Sequence, residues 1–193
     1  MLDNLQKYHI ILASNSPRRK ELLGGLGIDF EVKVISGIDE SYPETLVGEE
    51  IPVYISKIKA QPYLDSLNDN DLVITADTIV YVDGEVLGKP SDAADACAML
   101  QKLSGRTHQV ITGVTLMTRS LQHSFAVSTD VTFVELSASE INYYVTHYRP
   151  FDKAGAYGVQ EWIGFVGVSR LEGSYFNVMG LPVQRLYTEL KKL

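Results

Sequence analysis

The stretch Ala13-Ser14-Asn15-Ser16-Pro17-Arg18-Arg19-Lys20-Glu21-Leu22-Leu23 directly follows a short apolar run and has the residues of a helix start. Ser16 is a good N-cap, and Pro17 suits the first helical position, where its missing N–H has no helical partner to lose. Such a start presents unpaired N–H groups and the positive end of the helix dipole. Arg18 and Arg19 add planar donors that match phosphate oxygens. Two cations in a first turn are electrostatically misplaced, so an anion must compensate them, either a bound phosphate or carboxylates of the surface. The segment lacks the Gly-x-x-x-x-Gly-Lys-Ser/Thr spacing of a P-loop, which argues against a P-loop ATPase.

A second signal is an acid inside an apolar strand. In Leu72-Val73-Ile74-Thr75-Ala76-Asp77-Thr78-Ile79-Val80, Asp77 interrupts a β-rich run. A carboxylate placed there needs a cation, hydrogen-bond donors or a functional cavity, because burying it alone is costly. Backbone bonding at a strand end is the structural alternative. Lys89, in Leu87-Gly88-Lys89-Pro90, follows a hairpin and can return toward the mouth of the same strand. Glu40, in Ile38-Asp39-Glu40, and Lys59, in Lys57-Ile58-Lys59-Ala60, are weaker candidates, equally at home on a solvated surface.

The elements that must carry these side chains alternate between strand and helix. Tyr8 to Ala13 is a short apolar run, Pro17 to Leu26 reads as a helix, and Phe30 to Ile35 as a strand. Ile51 to Leu67 has helical character that Pro62 should bend or end early. Leu72 to Val82, the turn Asp83-Gly84 and Glu85 to Leu87 form a hairpin pattern. Ser91 is expected to cap a helix reaching Leu103. Val110 to Met117 and Phe125 to Val134 read as paired strands. Ser137 or Ser139 opens a helix through Val145, and a last helix covers Val183 to Leu190. Between Pro150 and Pro182, glycines and aromatics such as Trp162-Ile163-Gly164-Phe165-Val166 suggest irregular strands and loops. The alternation predicts an α/β fold with a mixed, twisted sheet, organised as one domain over residues 1–193.

Composition excludes several classes. With 45% hydrophobic and 21% charged residues the chain has what a packed core requires and is not disordered. A formal charge of -7, from 17 basic and 24 acidic residues, disfavours broad binding to nucleic acid or anionic membranes, which needs a basic face. The single cysteine, Cys97, permits no internal disulfide and no cysteine-rich zinc site; it shares a helical face with Ala93, Ala96 and Leu100 and reads as a packed thiol. His9, His108, His123 and His147 make no metal-ligand pattern. Tyr143, Tyr144, Tyr148 and Tyr157 read as packing residues, Tyr157 with a place beside a base. No apolar run approaches the roughly 20 residues of a membrane span, and the N-terminus lacks a signal-peptide pattern. Cytoplasmic residence is the expectation.

Taken in order, the blocks Ala13 to Leu23, Gly37 to Glu40, Lys59-Ala60, Ala76-Asp77-Thr78, Gly84 to Pro90, Leu103 to Gly113, Asp152 to Gln160 and Glu172 to Pro182 resemble the Maf family of nucleotide pyrophosphatases. Gly155-Ala156-Tyr157-Gly158-Val159-Gln160 is similar to the branch acting on dTTP and UTP. The resemblance implies a mixed α/β fold related to the inosine-triphosphate pyrophosphatases, with two lobes around a cleft, often dimeric. It implies Asp77 as catalytic proton acceptor, and Arg19, Thr78 and Gln160 in substrate selection. Ser14, Arg18, Glu40, Lys59 and Lys89 map to the polar pocket around the phosphates and a metal. Mg²⁺ or Mn²⁺ would lie against Glu40, with Asp77 adjoining it. The expected reaction is water attack on the α-phosphorus with pyrophosphate leaving. The same chemistry on a modified or methylated nucleotide, and a nucleotide-binding regulator of septum formation, are the rival expectations.

Overall fold

The structure is a computed structural model that describes residues 2–193. Seven strands form one mixed sheet. They are β1 (His9–Leu12), β2 (Glu31–Val32), β3 (Asp71–Val82), β4 (Glu85–Leu87), β5 (Thr107–Met117), β6 (Gln122–Phe133) and β7 (Val168–Glu172). Their order is β2-β1-β3-β5-β6-β7, with β4 paired to β3 alone. β1 runs parallel to both β2 and β3, whereas β4 and β7 pair antiparallel with β3 and β6. The helices are α1 (Pro17–Gly24), α2 (Glu50–Ala60), α3 (Ala93–Leu103), α4 (Ala138–Tyr148), α5 (Trp162–Gly167), α6 (Tyr175–Val178) and α7 (Val183–Leu190). A mixed sheet with flanking helices is the predicted class.

The chain forms two compact units. The first holds Met1–Asp77, Thr112–Val127 and Gly180–Leu193; the second holds Thr78–Ile111 and Ser128–Met179. The long strands β3, β5 and β6 each contribute residues to both. In the first unit Ile11, Ala60, Tyr63, Leu67, Val73 and Met117 pack into one cluster. There α2 lies unusually close to β5: a Cβ at Gly113 would stand 2.3 Å from the carbonyl of Pro52. Buried hydroxyls fasten the same helix, with Thr75 Oγ1 donating to Ser56 O at 2.7 Å and Ser56 Oγ lying 2.8 Å from Thr115 Oγ1. In the second unit Val80, Leu100, Phe133, Ile141, Tyr144 and Ile163 belong to the core.

Several boundaries differ from expectation for local reasons. Pro62 does end the long helix: α2 stops at Ala60 and a 3-10 turn covers Gln61–Ser66. Asp92 rather than Ser91 caps α3: its backbone is extended and its side chain accepts from Asp95 N. Ser91 instead donates to the Asp95 carboxylate. The expected strand from Phe30 to Ile35 contracts to Glu31–Val32, both exposed. Trp162 to Val166 is helical, not a strand. Gly164 lets that turn approach Val159, whose carbonyl would lie 1.8 Å from any Cβ at position 164. Gly84 (φ 81°) and Asp83 (φ 51°) supply the paired positive φ angles of a tight hairpin turn.

Candidate active site

In the first unit the end of β1 delivers the chain to α1. Ser14 Oγ accepts from Ser16 N at 3.2 Å, and Ser16 Oγ accepts from Arg19 N at 3.4 Å, so two hydroxyls organise the helix start. Pro17 sits in its first turn, which contains no acid. Arg19 does not reach out to a surface carboxylate through its Nε or Nη1. Nε donates to Gly180 O and Nη1 to Ala76 O, both at 2.8 Å. One guanidinium thus ties α1 to the residue before Asp77 and to the chain entering α7. Burial lowers the Arg19 pKa from its ordinary value, and the Asp77 carboxylate acts in the opposite sense, with Arg18 and Glu40 contributing smaller opposing effects. Arg18 is half-buried beside it.

The clearest convergence of charge is around Lys59. This residue lies in the last turn of α2, and its ammonium stands 2.7 Å from Asp77 Oδ1 and 3.0 Å from Glu40 Oε2. The Lys59 and Asp77 side chains are 17% and 14% exposed, against 55% for Glu40, so two members are largely withdrawn from water and the third borders it. Glu40 is carried by a tight turn in which Asp39 Oδ1 accepts from Ser41 N at 2.9 Å. That bond holds the Asp39 carboxyl below its usual range. Upstream, the buried Tyr63 hydroxyl donates to Lys33 O at 2.7 Å and accepts from Ile35 N at 3.0 Å, which pins the extended segment between β2 and that turn. Burial pushes the Tyr63 phenol up, and it stays a neutral donor. Tyr63 was not foreseen from sequence, where it is one more aromatic at the end of a helix.

Six predicted residues therefore fall in this unit: Ser14, Arg18, Arg19, Glu40, Lys59 and Asp77. Glu40, Lys59 and Asp77 are in direct contact. Arg19 joins them through Ala76, while Ser14 organises the neighbouring helix start. Thr78, Lys89 and Gln160 belong to the second unit. Thr78 is half-buried on β3, and Lys89 is exposed after β4. Gly155 N donates to Gly88 O at 3.0 Å, joining the loop of Lys89 to the segment that leads to Gln160. The Gln160 carbonyl oxygen is buried and accepts no hydrogen bond from any described residue. An orphaned acceptor of this kind costs free energy unless a ligand fills it.

Among the described residues no group of three or more His, Cys, Asp or Glu side chains could hold a metal ion. The donor set here is two carboxylates, Glu40 and Asp77. This fits a hard divalent ion that takes one or two carboxylates and completes its shell with phosphate oxygens and water. It does not fit a closed zinc site.

Comparison with known proteins identifies the family. Residues 9–193 match the family described as Maf-like protein. The chain is 65% identical to a dTTP/UTP pyrophosphatase of Phocaeicola vulgatus and 61% identical to one of Bacteroides fragilis, each over 100% of both chains. It is 55% identical to a dTTP/UTP pyrophosphatase of Porphyromonas gingivalis over 99% of this chain and 97% of that one. Among solved structures it shares its fold with a HAM1 protein from Coxiella burnetii, at a TM-score of 0.52 and 15% identity, covering 96% of this chain and 100% of that one. Full-length identity at this level, together with the ordered blocks around Arg19, Asp77 and Gln160, shows that the chain belongs to the Maf family.

Proposed function

We propose that this chain hydrolyses dTTP and UTP to the nucleoside monophosphate and pyrophosphate. The observation that carries the proposal is the Lys59 ammonium held between Asp77 and Glu40, in a chain whose full-length relatives bear the name dTTP/UTP pyrophosphatase. Such hydrolysis depends on positioning and charge neutralisation more than on covalent chemistry. Asp77 orients a water molecule and takes its proton as the water oxygen bonds to the α-phosphorus. The bond from that phosphorus to the bridging oxygen breaks, and pyrophosphate departs with the electron pair. Lys59 and Arg18 neutralise the phosphate tail, helped by the N–H groups at the start of α1. Glu40 and Asp77 would hold a Mg²⁺ or Mn²⁺ ion, which when bound lowers the charge on the phosphate oxygens.

Gln160 and Thr78 select the base. A thymine or uracil edge offers a carbonyl, an N–H and a second carbonyl, so one amide side chain can donate and accept across it. Cytosine lacks the N–H and is disfavoured. The proposal includes residence in the cytoplasm and, as the family resemblance implies, a homodimer; sedimentation of the purified protein checks the dimer. The activity is tested by incubating the protein with dTTP, UTP, CTP and GTP in Mg²⁺ or Mn²⁺ and detecting pyrophosphate separately from orthophosphate. Pyrophosphate release from dTTP and UTP well above that from CTP and GTP is expected. Orthophosphate as the first product, or no turnover of any of the four, rejects the proposal.

A further inference from the structure

The second unit contains a polar network, built around the buried Tyr144 and Lys153, that the chemistry above does not use. Tyr144, on α4, is fully buried, and its hydroxyl accepts the Gly158 N–H at 3.0 Å. The same hydroxyl donates to Glu161 Oε2. Glu161 Oε1 lies 3.1 Å from the ammonium of Lys153, a lysine only 8% exposed, which also meets Asp152 at 2.8 Å. Gly158 leaves room for the Glu161 side chain: a Cβ there would stand 2.9 Å from Glu161 Cδ. Glu161 N donates back to Gly158 O at 3.0 Å, closing a turn whose inner residues are Val159 and Gln160. Burial and the Glu161 carboxylate together push the Tyr144 phenol up, so it remains a donor.

Stability alone is a poor reason for this arrangement. A buried Lys–Glu pair gains little over apolar side chains of similar volume, because desolvation consumes most of the attraction. What directed bonds supply and apolar packing does not is a defined backbone position. The position defined here is the turn that presents Gln160, whose carbonyl oxygen is buried and unpaired.

We propose that Tyr144 and Glu161, charge-balanced by Lys153, are positioning residues for base recognition, fixing the Gly158–Glu161 turn so that the Gln160 amide faces the nucleobase in one orientation. This rests on the pyrimidine pyrophosphatase assignment above. Neither residue touches the nucleotide; each acts through the turn.

The test compares the full-length protein with Tyr144→Phe, Glu161→Gln and Gln160→Ala. Three quantities are read: kcat/KM for dTTP, kcat/KM for CTP, and inhibition by inorganic tripolyphosphate, which has no base. Tyr144→Phe and Glu161→Gln are expected to narrow the dTTP-to-CTP preference by about 10-fold, mainly through KM for dTTP. Inhibition by tripolyphosphate should stay within about twofold, because the phosphate-binding groups are untouched. If Gln160→Ala narrows the preference while both network variants keep it, the positioning role is overturned and base selection by Gln160 stands. If Gln160→Ala itself leaves the preference unchanged, base selection by Gln160 fails and the positioning role fails with it. Loss of folding in both network variants also overturns the proposal, since the network would then be a stability element.

Discussion

At position 77 an asparagine would still offer Lys59 a carbonyl oxygen where Asp77 Oδ1 now meets the ammonium at 2.7 Å. The substitution therefore removes a proton acceptor while keeping the contact. Asp77→Asn is expected to lower kcat for dTTP by at least about 10²-fold with a small change in KM. Steady-state kinetics on pure protein decides this, and near-normal turnover would remove Asp77 as the base. Arg19 shows a second kind of dependence on residue type. Its Nε and Nη1 reach two backbone carbonyls at once, which one lysine ammonium cannot reproduce. Asp77 was legible in the sequence because an acid inside a β-rich run demands an explanation. Its partners were not. Glu40 and Lys59 are ordinary surface types in their local contexts, and only the ordered resemblance to a family marked them. Tyr144 reads as a packing residue, and it is core; the partners of its hydroxyl lie beyond any local pattern.

Among the elements, α2 bears the most direct responsibility for the site, since it carries Lys59 to Asp77. Its depth is set at the opposite end by Gly113. A Cβ there would meet Pro52 C and O at 2.3 Å and Val53 N at 2.4 Å, all backbone atoms that cannot swing aside. Gly113→Ala must then lift the helix from β5, strain the bond from Thr75 to Ser56 O, and withdraw the ammonium from Asp77. Overpacking of this kind costs about 1–3 kcal/mol. A lower urea midpoint together with reduced kcat/KM on dTTP, at unchanged far-ultraviolet circular dichroism, is the expected result. An alanine variant with wild-type stability and activity would show that α2 has freedom to move. The elements themselves were largely legible where local chemistry is strong: the Asp83-Gly84 turn, the stop at Pro62 and a helix opened by Ser137 or Ser139, of which Ser137 is the cap. Trp162–Gly167 was misread because its conformation follows from packing against Val159, which no periodicity of the segment encodes.

Across the whole molecule, two buried titratable groups outside the proposed chemistry give its acid stability a defined form. In the second unit His108 is 2% exposed, shares a 2.7 Å hydrogen bond with the Tyr157 hydroxyl and packs edge-on to Phe133. Burial lowers its pKa from 6.5 to about 4. The unfolded chain therefore takes up a proton at this residue near pH 6.5 while the folded chain refuses it until about pH 4. Stability must fall as pH drops through that window, by at most about 3 kcal/mol. In the first unit Glu189 is 3% exposed and is bonded by Lys192 and Arg185 at 2.7 Å each, with His123 at 3.1 Å. The Lys192 bond leads in lowering its pKa from 4.5 to about 2; burial opposes this, and Arg185 assists the lowering. Its contribution is complete above pH 4.5 and disappears as pH falls toward 2. The two windows adjoin without coinciding, so they can be separated by mutation. His108→Gln, which keeps a polar partner for Tyr157, should flatten the decline in urea midpoint between pH 6.5 and 4 and leave the steeper fall below it. Glu189→Gln should lower the midpoint at pH 7 and weaken the fall below pH 4.5. Parallel pH profiles for His108→Gln and the unmodified protein between pH 6.5 and 4 would mean that the imidazole is as easily protonated folded as unfolded.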